Sequence, residues 1–281
     1  MIFHIHLYLH LGSRRTLLLT CRLWYNLLID CGYMWKQIAW PEWNDEVSLA
    51  SCYNLRLLAH IVGRNSEPFN LALVSPTPNQ VTMGELHDFM TSMRSNWLIR
   101  CRSLSLLLKG FDAPVSVLEK LLHDGNFQSL EHLSLEGDVE ITEWNMLANV
   151  ISQIDKTAPN IERLDIGDGV PLQLIFHYFS ILTRISSLNI SFCYLPNGLV
   201  PWGQLINLRH LQISQGRDDY EILGLEQIVA PNLVSLHLNG DFTVENFFSD
   251  QVMQKITHMV LEDFHDTWLN VFQCALPKLT F

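Results

Sequence analysis

Apolar and polar positions alternate in a short pattern that recurs along the last two thirds of the chain. In this six-residue core, positions one, four and six are apolar, while positions three and five are almost always polar. The cores begin at Cys101, Leu130, Ile161, Ile185, Leu208, Leu233, Ile256 and Leu276. Successive starts are 29, 31, 24, 23, 25, 23 and 20 residues apart. Because side chains alternate across a strand, the pattern predicts strands with one buried and one exposed face.

The clearest copy, Ile185 to Leu195, has the form L-x-x-L-x-L-x-x-C-x-L. It resembles the strand and turn of a leucine-rich repeat, and the spacing of the eight copies is typical of that repeat. The resemblance implies an α/β solenoid with a parallel sheet on its concave face and helices outside. Helical returns are expected between the strands, for example at 144–155 and 244–253. The eighth copy ends with the sequence at Phe281, within a repeat.

Residues 1–40 are predicted to be helical, because apolar residues recur at intervals of three and four. The sequence Cys21-Arg22-Leu-Trp24, followed by a second tryptophan at Trp35, resembles the second half of an F-box. F-boxes followed by leucine-rich repeats occur together, particularly in fungal families. The resemblance implies a surface that binds a Skp-type adaptor of cullin ubiquitin ligases. Its residues are Leu17, Cys21, Trp24, Leu27 and Trp35.

We therefore expect three regions. They are a partial F-box-like helical segment at 1–40, a linker or N-terminal capping region at 41–98, and leucine-rich repeats at 99–281. Within the middle region, Phe69 to Val74 alternates as a strand does. It is either a worn repeat or a first edge strand, and the sequence does not separate the two.

Composition narrows the class of protein. A formal net charge of −11 argues against a nucleic-acid binder, whose interface is basic. No uncharged apolar run of eighteen residues occurs, so no membrane partner is expected. The six cysteines form no C-x-x-C pair, and Cys101 and Cys193 fall on inward positions of the repeats. This pattern favours a reducing compartment, and we expect a cytoplasmic or nuclear protein.

Positions three and five of the cores define the predicted concave face. Their polar side chains indicate a surface that recognises a target protein, although an ordinary solvated sheet face fits the same pattern. The candidate partner-binding residues are His132, Arg163, Asp165, Asn189, His210, Gln212, His237 and His258. Three of these histidines come from neighbouring repeats and could approach one another, but nothing in the sequence fixes a tetrahedral ligand set. No metal or cofactor is predicted.

Sequence motifs of enzymes are absent: the chain has no G-x-G-x-x-G, no P-loop, no G-x-S-x-G and no H-E-x-x-H. A non-enzymatic protein is therefore expected. The leading hypothesis is the substrate-recognition subunit of a cullin-based ubiquitin ligase, which would hold its target on the repeats. The alternative is a leucine-rich-repeat scaffold that binds proteins without a ligase and uses residues 1–40 as a cap.

Overall fold

A computed structural model describes the strands and the segments next to them. The described residues are 22, 26, 37–40, 66–74, 98–107, 126–137, 144–170, 172, 175–176, 180–191, 205–214, 227–240 and 250–262. The chain divides into two compact units, Met1–Leu130 and Glu131–Phe281. Each unit contains parallel strands that pair with their neighbours in chain order.

The first unit contains strands β1 (Gln37–Trp40), β2 (Phe69–Val74) and β3 (Cys101–Leu107). Strand β2 pairs in parallel with both of the others, so it is an interior strand of this unit and not an edge strand. Strand β1 corrects the prediction that helix continues to residue 40. The sequence there, Gln-Ile-Ala-Trp, is too short for an apolar period to distinguish strand from helix.

Buried apolar side chains line one side of β2 and β3. Phe69, Leu71, Leu104 and Leu106 are all nearly inaccessible. Cys101 is fully buried as predicted, and burial raises the pKa of its thiol to about 12. The thiol therefore stays protonated at neutral pH and behaves as a small apolar side chain.

The structure describes six strands in the second unit, and each of the first five pairs in parallel with the next one along the chain. They are β4 (His132–Glu136), β5 (Arg163–Ile166), β6 (Ser187–Ser191), β7 (His210–Ser214), β8 (Ser235–Asn239) and β9 (His258–Glu262). Their fourth core positions lie side by side: Leu133, Leu164, Leu188, Leu211, Leu236 and Met259. The predicted parallel pairing of the repeat strands is confirmed, and the arrangement is that of a solenoid-like α/β fold.

The core positions of these strands are buried as the pattern requires. Positions one, four and six of the repeats at Ile161, Ile185, Leu208 and Leu233 are at most 2% exposed. The core also includes an apolar position that the six-residue pattern does not contain, three residues before each strand core. Its occupants in the second unit are Ala158, Leu182, Leu205, Ala230 and Met253. The apolar pattern of each repeat therefore begins three residues before the six-residue core.

Helices connect some of the strands. Helix α1 (Trp144–Thr157) lies between β4 and β5, where a helical return was predicted. Its residues Ala148, Ile151 and Ile154 are buried at intervals of three, as expected for a helix that packs one face against a sheet. Helix α2 (Asp250–Met253) precedes β9, and a 3-10 turn at Ser180–Thr183 precedes β6. None of the helices described is long and apolar enough to cross a membrane.

A repeating set of hydrogen bonds fixes the register between repeats. The carbonyl oxygen of Glu162 accepts the N–H groups of both Ser186 and Ser187, and equivalent pairs recur in each following repeat. Just before each strand core, a side chain donates to a carbonyl oxygen of the preceding repeat. The donors are Arg184 to Pro159, Asn207 to Thr183, Asn232 to Ile206 and Lys255 to Pro231, at 2.6 to 3.0 Å. Because the donors recur at one sequence offset, they hold successive turns in the same alignment.

Two turns that share the sequence Leu-x-Gly-Asp also share a backbone conformation. Gly137 and Gly240 have φ angles of 134° and 126°, which L side chains rarely adopt. Each glycine follows a strand and donates its N–H to a carbonyl oxygen of the next repeat, Asp168 and Glu262 respectively. The glycines allow the chain to leave the sheet while keeping this last contact between repeats.

Candidate protein-binding face

The polar side chains of β4–β9 form two parallel rows on the face of the sheet opposite the core. Row three, the third core positions, contains His132, Arg163, Ser187, His210, Ser235 and His258. Row five contains Ser134, Asp165, Asn189, Gln212, His237 and Val260. All twelve are exposed or half-buried. The structure thus places all eight candidate partner-binding residues on one face, in neighbouring positions.

At the β4–β5 end of this face, three of the candidates contact one another. His132 Nε2 lies 2.7 Å from Asp165 Oδ2. Arg163 donates from Nε to Asp165 Oδ1 at 3.1 Å and from Nη2 to Oδ2 at 3.0 Å. The guanidinium therefore grips the carboxylate with two hydrogen bonds while the imidazole approaches from the next strand. We refer to these three residues as the Asp165 cluster.

The Asp165 cluster holds its carboxylate in the ionised form. Partial burial by itself favours the neutral acid. The hydrogen bonds and positive charge supplied by His132 and Arg163 outweigh that effect, so the pKa of Asp165 falls below its usual value. The Asp165 side chain is only 16% exposed, whereas that of Arg163 is 53% exposed. The cluster thus presents the guanidinium to solvent and keeps the carboxylate beneath it.

A second set of contacts lies at the β8–β9 end. His237 Nε2 lies 3.4 Å from Glu262 Oε2, but this buried nitrogen makes no hydrogen bond to any residue that the structure describes. Asn239 donates from Nδ2 to the same Glu262 oxygen at 3.1 Å. We refer to His237, Asn239 and Glu262 as the Glu262 cluster. Sequence reasoning selected only His237 from it, because Asn239 and Glu262 occupy position seven of the core, which the six-residue pattern leaves out.

Between the two clusters, the side chains of β6 and β7 make few contacts. Asn189 Oδ1 accepts a 3.5 Å hydrogen bond from the Ser191 hydroxyl. The side chains of Ser187, His210 and Gln212 make no hydrogen bond within the part of the chain that the structure describes. These groups can donate to or accept from a partner without first breaking a contact inside the protein.

The three histidines that could have approached one another do not form a group. His210 and His258 lie in row three on β7 and β9, with Ser235 of β8 between them. His237 lies in row five, and His258 Nδ1 instead contacts its neighbour Thr257 Oγ1 at 2.9 Å. Across the residues that the structure describes, no three His, Cys, Asp or Glu side chains are grouped as metal ligands are.

The predicted adaptor-binding residues Leu17, Cys21, Trp24, Leu27 and Trp35 lie outside the described residues. Within the same segment, Arg22 and Asn26 are helical and exposed. These two residues are four apart, so they share one face of a helix.

Comparison with known proteins adds no family assignment. No protein-family model matches the chain, and no curated protein is significantly similar to it.

Proposed function

We propose that this protein is a non-enzymatic substrate receptor of a cullin-based ubiquitin ligase. In this proposal, the F-box-like segment binds a Skp-type adaptor, and the polar face of β4–β9 holds a target protein. Other subunits of the ligase carry out ubiquitin transfer. A receptor of this kind acts in the cytoplasm or nucleus.

The observation that carries the target-binding part is the pair of rows across six strands, in which every side chain except Val260 is polar. Within these rows, Asp165 fixes the guanidinium of Arg163 with two hydrogen bonds. Fixing a side chain before binding lowers the entropy lost on association. The ligase part rests on the resemblance of residues 17–38 to the second half of an F-box.

Affinity purification of the full chain followed by mass spectrometry tests the ligase part. A Skp-type adaptor and a cullin are expected to co-purify, and Trp24→Ala should remove both. Arg163→Ala is the matched control, because it alters the polar face and should leave the adaptor bound. Failure to recover adaptor or cullin with the folded wild-type chain would overturn this part of the proposal.

One observation favours the second candidate, a protein-binding scaffold without a ligase. Ile38 lies within the F-box-like segment, yet it belongs to strand β1 and pairs with Leu71 of β2. This pairing fits an N-terminal segment that caps the first strands. For a cap, Trp35→Ala should lower the midpoint of thermal unfolding and leave the set of co-purifying proteins unchanged.

A further inference from the structure

Strand β8 ends in an asparagine that is followed directly by a glycine, Asn239-Gly240. Such a pair is chemically reactive, because glycine has no side chain to shield its backbone nitrogen. That nitrogen can therefore attack the carboxamide carbon of the asparagine before it. The turn after β4 has the same glycine conformation but carries Glu136 in place of the asparagine. The reaction is thus available at the turn after β8 and not at its counterpart.

The reaction of an Asn-Gly pair is deamidation, which needs water but no enzyme and no oxidant. The Gly240 nitrogen gives up its proton and bonds to Cγ of Asn239, while the Cγ–Nδ2 bond breaks and ammonia leaves with that proton. Water then opens the cyclic succinimide at one of its two carbonyl groups. The products are aspartate and isoaspartate, in which the main chain runs through Cβ and is one carbon longer. Both products carry a negative charge at neutral pH.

The folded protein opposes closure of this ring in three ways. Asn239 belongs to a strand, whereas closure requires its backbone to rotate out of the extended conformation. Gly240 donates its N–H to the carbonyl oxygen of Glu262 at 3.1 Å, which holds the proton that must leave. Asn239 Nδ2 donates to Glu262 Oε2 at 3.1 Å, which fixes the carboxamide. Both hydrogen bonds therefore lead to the residue directly opposite Asn239 on β9.

We propose that Asn239 is a site of spontaneous deamidation that stays closed as long as β9 is paired with β8. Separation of the two strands removes both hydrogen bonds to Glu262 at once. Native proteins open locally in this way without unfolding as a whole. The rate of deamidation therefore reports how often β9 leaves β8. The proposal concerns these two strands alone and does not depend on the ligase role.

Deamidation also changes how β9 returns to β8. An aspartate at position 239 places a second carboxylate directly opposite Glu262. Like charges that lie directly opposite destabilise a strand pair. Isoaspartate also lengthens the main chain before Gly240, which moves its N–H away from the Glu262 carbonyl oxygen. The modified strands therefore pair less tightly, and the change does not reverse because ammonia has left.

Peptide mapping by mass spectrometry of the full chain tests the closed site. Deamidation of Asn239 is followed over time at mildly alkaline pH, in the folded chain and in guanidinium chloride. The folded chain should react at least about tenfold more slowly, because reaction must wait for the strands to open. The other Asn-Gly pair of the sequence, Asn197-Gly198, lies outside the described residues and serves as an internal reference in the denatured chain. Equal rates at Asn239 in the folded and denatured chains would overturn the proposal.

Variants of Glu262 test the role of its side chain. Glu262→Ala removes the acceptor of Asn239 Nδ2 and should speed deamidation of the folded chain by about two- to tenfold, as expected for one lost hydrogen bond. Glu262→Gln is the matched control, because its amide oxygen still accepts, and it should react at nearly the wild-type rate. Circular dichroism before incubation establishes that both variants are folded. A wild-type rate in Glu262→Ala would contradict closure by this side chain.

The effect of the product is tested by Asn239→Asp, which introduces the new charge without incubation. Hydrogen exchange of the amides that join β8 to β9 should become about two- to fivefold faster, the range for like charges directly opposite. Adding Glu262→Gln to this variant removes one of the two charges and should restore slow exchange. Unchanged exchange in Asn239→Asp, or no recovery in the double variant, would contradict the proposed weakening of the strand pair.

Discussion

The two clusters at the ends of the polar face have the same layout but differ in how well they are connected. In each, a histidine lies diagonally across from a carboxylate that is two residues further along the next strand. His132 and Asp165 are 2.7 Å apart, whereas His237 and Glu262 are 3.4 Å apart without a hydrogen bond. The strand register alone therefore does not determine whether the histidine and the carboxylate form a hydrogen bond.

The residue directly opposite each histidine accounts for the difference. His132 pairs in register with Arg163, which grips Asp165 and holds the carboxylate in place. His237 pairs in register with Val260, which is 47% exposed and has no side-chain donor that could bind the carboxylate. The side chain of Glu262 is 52% exposed, and Asn239 is the donor of its one described side-chain hydrogen bond. The comparison teaches that the carboxylate is held more firmly where an arginine lies directly opposite the histidine. Three of the four predictions below follow from the presence or absence of that arginine.

Removing the carboxylate of the tightly connected cluster should have the largest effect. Asp165→Ala removes the carboxylate that His132 and Arg163 share. We expect a loss of about 1–3 kcal/mol in the free energy of unfolding, measured by urea denaturation. Glu262→Ala is the matched control and should cost no more than about 0.5 kcal/mol, because the carboxylate is largely solvated. Equal losses in the two variants would show that the clusters do not differ in strength.

The next effect concerns the glycine that follows strand β5. A Cβ atom at Gly167 would lie 2.7 Å from Glu136 Cγ and 2.9 Å from Glu136 Cβ, closer than non-bonded atoms approach. Gly167→Ala should therefore destabilise the second unit by about 1–3 kcal/mol, as overpacking does. Thermal unfolding monitored by circular dichroism gives the loss. Glu136→Ala in the same chain removes the Cγ and should recover part of it, and no recovery would contradict a steric cause.

Much of this fold follows from periodicity, because burial and register both repeat with the core. Leu188, Leu211 and Leu236 could be placed side by side from their spacing alone. Position seven could have been reached in the same way, since strand alternation continues beyond position six and places Asn239 and Glu262 on the polar face. The side-chain hydrogen bonds between successive repeats could also have been predicted, because Asn207 and Asn232 both lie one residue before their strand cores.

Other features could not be obtained from periodicity. Strand β1 has only four residues, and its status depends on pairing with β2, which lies about thirty residues further on. The difference between the two clusters depends on the residue directly across the strand, Arg163 or Val260, and the periodic pattern alone does not say which contacts that residue makes. The burial of the apolar position before each core does not follow from the sequence, because alanine occupies it in two repeats, Ala158 and Ala230, and alanine also suits exposed sites.

The pH dependence of the unfolding free energy should reveal the contribution of the Asp165 carboxyl group. The pKa of Asp165 is lower in the folded protein than in the unfolded chain, so folding favours the ionised form. Its contribution is fully present above the unfolded pKa, about 4, and is lost as the pH falls through the lower folded value. The difference in unfolding free energy between wild type and Asp165→Asn should therefore shrink below about pH 4. A difference that stays constant across this range would exclude a shifted carboxyl group.

The smallest predicted effect is also the most direct test of the comparison. Val260 occupies the place on β9 that Arg163 occupies on β5, directly opposite a histidine and two residues before the carboxylate. Val260→Arg should let a guanidinium grip Glu262 and raise the free energy of unfolding by about 0.2–1 kcal/mol, the range for an exposed ion pair. In Glu262→Gln the same substitution should give no gain, because the amide carries no charge. Since Val260 is already exposed, its loss removes little buried area, and a stabilisation that depends on Glu262 can be attributed to the new ion pair.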